Sequence, residues 1–210
     1  MRSGRLHAPY ADLAQQGHAA RLGMWVVIAS EILLFSALFA LYAGYRMAEP
    51  DVIRAGARRT SLGLGTTMTY ILVTSSFFVA MGVAALRRGV RRACVAWLLA
   101  AAASGVVFLG LKATEYHEHL AHGLAPGSHF AAADPTGGGL GLFFALYYVA
   151  TGLHALHVLA GVIVLAILAL GVWRGRWDAA YTAPVELGGL YWHLVDAIWL
   201  FLWPLFYLLR

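Results

Sequence analysis

The chain has 210 residues, 61% hydrophobic and only 12% charged, which excludes a soluble globular domain and predicts an integral membrane protein. A net charge of +5 and a pI near 9.6 do not indicate nucleic acid as a partner, because the arginines stand at the ends of apolar segments, where they set topology. The one cysteine, Cys94, excludes an internal disulfide and leaves no cysteine-based metal site.

In chain order, the first twenty residues hold Arg2, Arg5, Asp12, two glutamines and two histidines and have no apolar core of a signal peptide. The first spanning segment is therefore expected to direct insertion. Crossing the hydrocarbon layer takes about 20 apolar residues, and five segments reach that length: Leu22 to Tyr45, Leu62 to Leu86, Ala93 to Ala113, Leu140 to Val172 and Leu187 to Leu209. They lack the alternation of barrel strands, so the expected fold is all-α, a single membrane bundle of five transmembrane helices. The connections are short, 46–61, 87–92, 114–139 and 173–186, and the third carries loop signals in Ala-Pro-Gly at 125–127 and Asp-Pro-Thr-Gly-Gly-Gly at 134–139.

Five crossings put the termini on opposite sides. Nine basic residues (Arg2, Arg5, Arg21, Arg87, Arg88, Arg91, Arg92, Arg174, Arg176) then face six (Arg46, Arg54, Arg58, Arg59, Lys112, Arg210), which predicts a cytoplasmic N-terminus and an outside C-terminus. The fourth segment, Leu140 to Val172, would be about 50 Å long and must tilt or project. Gly152 and Gly161 within it, with Gly63 and Gly65 on the second segment, predict close helix approach.

Polar residues inside these segments are the candidate functional groups. Glu31 lies deep in the first segment, where an unpaired carboxylate costs on the order of 3 kcal/mol, so it is protonated or paired; a neutral acid bonded to a neighbouring helix and a proton-exchanging site both fit. His154 and His157, three apart, share a helical face. They are compatible with one metal, but no second pair stands at matching depth for a bis-histidine haem, and hydrogen bonding across helices is the plainer reading. Glu115, His119 and His122 line one face at the end of the third segment, either a zinc-compatible cluster or a solvated helix end. In the last segment His193 and Asp196 share a face, Glu186 sits two turns before, and a buried His-Asp pair would fix the imidazole tautomer.

Taken together, Arg21-Leu-Gly-Met-Trp with Ala-Ser-Glu31, then Glu115-Tyr, then Tyr-Val-Ala-Thr-Gly-Leu-His154-Ala-Leu-His157-Val-Leu-Ala-Gly, then Tyr-Trp-His193-Leu-Val-Asp196-Ala-Ile-Trp-Leu-Phe-Leu resemble subunit III of the haem-copper oxidases, in order and over most of the chain. The resemblance implies a non-catalytic inner-membrane subunit of a proton-pumping terminal oxidase. It would carry no haem, copper or other metal, hold phospholipid, pack on subunit I with subunit II nearby, and support proton uptake and durable turnover. Carried over by position, Glu31 would be the family's intramembrane carboxyl, and Glu115, His154, His157, Glu186, His193 and Asp196 its internal polar network. The chain resembles the shorter five-helix bacterial forms; relative to the seven-helix members the first two helices are missing, so the lipid cleft they form is absent or built by another chain. Short forms occur in cytochrome c oxidases and cytochrome o ubiquinol oxidases, with a relative associated with nitric oxide reductase. A self-contained metal enzyme on His154 and His157 and a proton-coupled transporter on Glu31 and Asp196 are the rivals of another class. No inverted repeat supports the transporter.

Overall fold

The computed structural model describes residues 12–124 and 139–209. All regular structure among them is helical: α1 (Leu13–Ala48), α2 (Pro50–Arg58), α3 (Leu62–Arg87), α4 (Arg91–Ala121), α5 (Gly139–Trp173) and α6 (Ala183–Trp203), the last continued by a π-helical turn, Pro204–Leu208. Five of these helices are long and apolar enough to cross a membrane.

Helix starts follow local chemistry. The Asp12 carboxylate accepts from the Gln15 N–H at 2.7 Å and caps α1, and the Ser61 hydroxyl accepts from the Leu64 N–H at the start of α3. Pro50 and Pro184 occupy the first turns of α2 and α6, where a missing N–H costs nothing. Gly89, at φ +79°, reverses the chain between α3 and α4 with its N–H on Leu86 O and the Val90 N–H on Ala85 O, so the two helices form a tight antiparallel pair.

The helices overrun the expected segments. α1 begins nine residues before Leu22, and α4 runs eight residues past Ala113, so the connection expected from residue 114 is helical as far as Ala121. Hydropathy marks where a helix is apolar, not where its backbone hydrogen bonds stop. The connection 46–61 contains α2, too short to span. Its Val52, Ile53, Gly56 and Ala57 are buried while Asp51, Arg54 and Arg58 face outward, an amphipathic helix lying across one end of the bundle. The loop signals at 125–127 and 134–138, together with Arg2, Arg5 and Arg210, lie outside the described residues.

At the end of α6, Pro204 has no N–H for the helical ladder, and the chain widens into a π turn closed by Leu209 N–H on Pro204 O at 3.1 Å. Two carbonyls of that turn receive side-chain donors: the Tyr42 hydroxyl donates to Leu205 O, and the Thr60 hydroxyl to Phe206 O at 2.9 Å. The π turn is thereby fastened to α1 and to the α2–α3 junction.

Of the four glycines expected to allow close approach, two do so, and the approach is to aromatic rings. A Cβ on Gly65 would meet the Tyr207 ring at 2.7 Å, and one on Gly161 would meet the Trp192 ring at 2.6 Å. Gly63 has open space, and Gly152 meets only the Tyr116 hydroxyl at 3.7 Å. Trp192 is fully buried between Gly161 and Gly105 and donates its indole N–H to Ser75 Oγ at 2.9 Å, which ties α6 to α3, α4 and α5.

Candidate functional site

Glu31 and His157 meet across the α1–α5 contact. The Glu31 Oε2 and His157 Nε2 atoms lie 2.9 Å apart, with both side chains mostly covered. The other ring nitrogen, Nδ1, is 2.7 Å from the Leu153 carbonyl one turn earlier, and since a carbonyl only accepts, Nδ1 carries a hydrogen. Bare lone pairs on Nε2 and Oε2 would repel at 2.9 Å. One proton therefore sits at the contact, on the imidazole as an ion pair or on the carboxyl as a neutral acid facing a neutral base. The two atoms approach closely without forming a well-aligned hydrogen bond. Phe35 packs edge-on to the imidazole at 5.6 Å, and the Tyr191 hydroxyl reaches His157 O at 3.3 Å.

His154, one turn before, has a different environment. It is fully buried and, among the described residues, makes no hydrogen bond through either nitrogen; its ring stacks on Trp199 at 5.1 Å and meets Phe108 edge-on at 5.6 Å. The shared face of the two histidines thus splits between a carboxylate on α1 and an aromatic box formed by α4 and α6. Among the described residues no group of three or more histidine, cysteine, aspartate or glutamate side chains comes together as a metal site.

A second polar centre is built around Lys112, which sequence reasoning assigned to a loop-side charge count. Its side chain is 2% exposed. The three ammonium hydrogens are all used, on Glu115 Oε2, the Tyr147 hydroxyl and the Tyr207 hydroxyl, each at 2.8 Å. Tyr207 in turn donates to Glu115 Oε2 at 2.8 Å, and the two tyrosine hydroxyls lie 3.2 Å apart. The rings of Tyr147, Tyr116, Tyr207 and Trp199 surround the ammonium at 4.5, 4.9, 5.5 and 5.6 Å, so cation–π attraction adds to the ion pair. Glu115 and His119 are buried, against the expectation of a solvated helix end, because α4 continues alongside α5 and His119 packs on Phe144 and Tyr147.

On α6 the expected His193–Asp196 hydrogen bond is not formed. His193 Nδ1 bonds the Ser76 hydroxyl of α3 at 2.5 Å, and the buried Asp196 carboxyl faces the same hydroxyl without a well-formed hydrogen bond among the described residues. The two groups share a face of α6, but the Ser76 hydroxyl of α3 stands across the helix contact and takes the imidazole. Trp199 likewise donates to Thr69 Oγ1 at 3.1 Å. Glu186 stands apart from the interior. It pairs with Arg87 at 2.9 Å and accepts from the Thr182 hydroxyl at 2.8 Å at the end of the bundle where α3 stops and α6 starts.

The structure therefore distributes the expected polar residues over separate centres: Glu31 with His157, Glu115 with Lys112, His193 and Asp196 about Ser76, Glu186 with Arg87, and His154 buried without a hydrogen bond among the described residues. The missed members are Lys112, Tyr147, Tyr207 and Ser76. Lys112 and Glu115, three apart where the apolar run of α4 ends, carried a signal, whereas the tyrosines from α5 and the π turn carried none.

Comparison with known proteins identifies the family. The family model described as cytochrome c oxidase subunit III matches residues 4–209. The chain is similar to cytochrome c oxidase subunit 3 of Thermostichus vulcanus, at 35% identity over 90% of this chain and 86% of the relative. It is 32% identical to the same-named protein of Synechocystis over 99% and 85% of the two chains. Quinol oxidase subunit 3 of Bacillus subtilis is 26% identical over 98% of this chain and 95% of its own length. A multi-pass helical bundle that the family model covers almost from end to end belongs to the cytochrome c oxidase subunit III family of the haem-copper oxidases.

Proposed function

We propose that this chain is the non-catalytic subunit III of a proton-pumping terminal oxidase that reduces oxygen to water, set in the cell inner membrane with its N-terminus in the cytoplasm. Haem and copper belong to its partner subunits, and its own work is to stabilise subunit I, hold phospholipid and keep proton uptake running. The observation that carries this reading is the Glu31–His157 contact: one carboxyl, one imidazole and one proton between them, in the membrane-spanning part of α1 and α5. Such a pair holds or passes a proton without any redox centre.

Lipid holding is supported by an apolar groove of about 410 Å³ between α1 and α6, lined by Ile32, Phe35, Phe39, Leu194, Ile198 and Phe201, starting next to Glu31. A branchless acyl chain fits such a groove, and α1, which presents Leu22, Val26, Leu33 and Leu41 outward, supplies an apolar wall for lipid or a partner subunit. On orientation, the described arginines divide as seven (Arg21, Arg87, Arg88, Arg91, Arg92, Arg174, Arg176) against four (Arg46, Arg54, Arg58, Arg59); with Lys112 removed from the count by its burial, the bias toward a cytoplasmic N-terminus persists.

The test is to purify the tagged chain from its own membrane in mild detergent and identify co-purifying proteins by mass spectrometry. Recovery with oxidase subunit I is the expected result, and a copper-bearing subunit II beside it would specify cytochrome c as donor. Recovery alone, or with nitric oxide reductase subunits, would overturn the assignment.

A further inference from the structure

A second groove, between α4 and α5, lies away from both Glu31 and the Lys112 cage. Its deeper part, about 310 Å³, is walled by Val95, Leu99, Ala166, Ala169, Leu170 and Trp173. Its outer part, about 280 Å³, is lined by Arg91, Arg92, Val95 and Trp173. Val95 and Trp173 line both, so this is one continuous groove, apolar toward the middle of the membrane and cationic at its rim.

The charge at the rim is one-sided. The two flanking stretches, 88–92 and 174–178, hold Arg88, Arg91, Arg92, Arg174 and Arg176 against a single acid, Asp178. Asp178 Oδ2 is 3.6 Å from an Arg91 guanidinium nitrogen, the outer edge of an ion pair, which leaves Arg91 with donors to spare. Gly175, at φ +69°, lets that guanidinium lie over the α5–α6 turn, since a Cβ there would sit 3.1 Å from Arg91 Nη1. The Asp178 approach and the room left by Gly175 place the Arg91 guanidinium at the rim of the groove. The first turn of α4 holds no acidic residue and has no side-chain cap, so its dipole adds to the positive field instead of offsetting it. Trp173, 70% exposed, stands where an indole favours the headgroup boundary.

We infer that this groove binds one anionic phospholipid, its phosphate at Arg91 and Arg92 and one acyl chain along Val95, Leu99, Ala166 and Leu170. A zwitterionic lipid fills the groove but brings a cation to an arginine cluster, and soluble phosphate meets the arginines but leaves the apolar groove empty. Only an anionic lipid satisfies both ends. The inference rests on the lipid-holding reading above and extends it to a second place and a headgroup charge.

The experiment titrates the full chain, purified in mild detergent, with phosphatidylglycerol or with phosphatidylcholine of the same acyl composition and counts bound lipid by native mass spectrometry. Wild type is expected to prefer phosphatidylglycerol by roughly tenfold. Arg91→Gln with Arg92→Gln, both on exposed side chains, should remove that preference, and Ala166→Phe, also at an exposed position, should weaken both lipids; Arg54→Gln at the other end of the bundle should change neither. Equal binding of the two lipids by wild type would overturn the inference, as would a preference that survives the double substitution. Displacement by inorganic phosphate combined with indifference to Ala166→Phe would also overturn it, because the site would then take a soluble anion. Co-purification with oxidase subunits is scored on the same samples. Lost lipid preference with the complex intact counts against this site alone, whereas absent partners count against the functional reading.

Discussion

Replacing Lys112 by methionine removes the ammonium while keeping the length and most of the apolar stem. Glu115 Oε2 then retains only the Tyr207 hydroxyl, Oε1 has no hydrogen bond to begin with, and at 1% exposure no bulk water replaces the lost partner. Removing one member of a buried pair costs about 3–5 kcal/mol, with protonation of Glu115 limiting the loss. Taking away the carboxylate as well, in Lys112→Met with Glu115→Leu, removes the orphaned charge, and apolar replacement of a whole buried pair is often close to neutral. The expected pattern is therefore two costly single substitutions and a double that recovers, with a coupling of about 2 kcal/mol or more between the sites. The assay is unfolding of the purified chain in mixed micelles, followed by the fluorescence of its seven tryptophans, of which Trp199 has its ring 5.6 Å from the Lys112 ammonium. A double substitution that costs the sum of the singles would refute the claim that these residues act as one charge pair. So would a Lys112→Met protein within about 0.5 kcal/mol of wild type.

Glu31→Ala in the assembled complex should leave haem content intact while activity declines faster through prolonged turnover, and His157→Phe should do the same; a wild-type time course for both would remove the Glu31–His157 contact from the mechanism. Gly65→Ala and Gly161→Ala should each destabilise by about 1–3 kcal/mol in thermal unfolding, because the new methyl meets the Tyr207 or Trp192 ring. Gly63→Ala, with open space around it, should be neutral or slightly stabilising, since alanine is the better helix former; equal effects at all three glycines would refute the packing assignment. Tyr42→Phe leaves the Leu205 carbonyl without its side-chain donor, and a cost of about 1–3 kcal/mol should appear as faster amide exchange over 205–209.

Five spans, their order and the family were legible because each rests on a repeated or local signal: apolar length for the spans, and the residues around Glu31, His154, His157, His193 and Asp196 for the resemblance. What the sequence concealed was pairing. His193 and Asp196 looked like partners because they share a helical face, yet the Ser76 hydroxyl on α3 takes the imidazole, and the run Thr74-Ser75-Ser76 does not announce which hydroxyl faces α6. Lys112 reads as a flanking charge only for a helix that ends at Ala113. Once α4 continues to Ala121, the same lysine lies two turns or more inside, and burial compels it to find Glu115, Tyr147 and Tyr207. α2 escaped because a span-length window averages away nine residues, although Pro50 with Asp51 in the first turn is a helix-start signal.

The two main polar centres differ in a way that bears on their roles. Around Lys112 every ammonium hydrogen has an acceptor, and the ammonium and carboxylate are held by side chains from α4, α5 and the π turn, so moving a proton there would leave a donor or a charge unmatched in a place water does not reach. That arrangement favours a fixed lock between helices. At Glu31 the arrangement is opposite: a 2.9 Å contact without a well-aligned hydrogen bond, one proton for two basic atoms, and both side chains partly open, 20% and 16%, beside the groove between α1 and α6. Shifting the proton from imidazole to carboxyl there exchanges an ion pair for a neutral pair without breaking the Leu153 bond that holds the ring. A group that moves a proton without rebuilding its surroundings suits exchange, and one that cannot suits structure. Substitution at Lys112 is therefore expected to register in unfolding, and substitution at Glu31 in turnover.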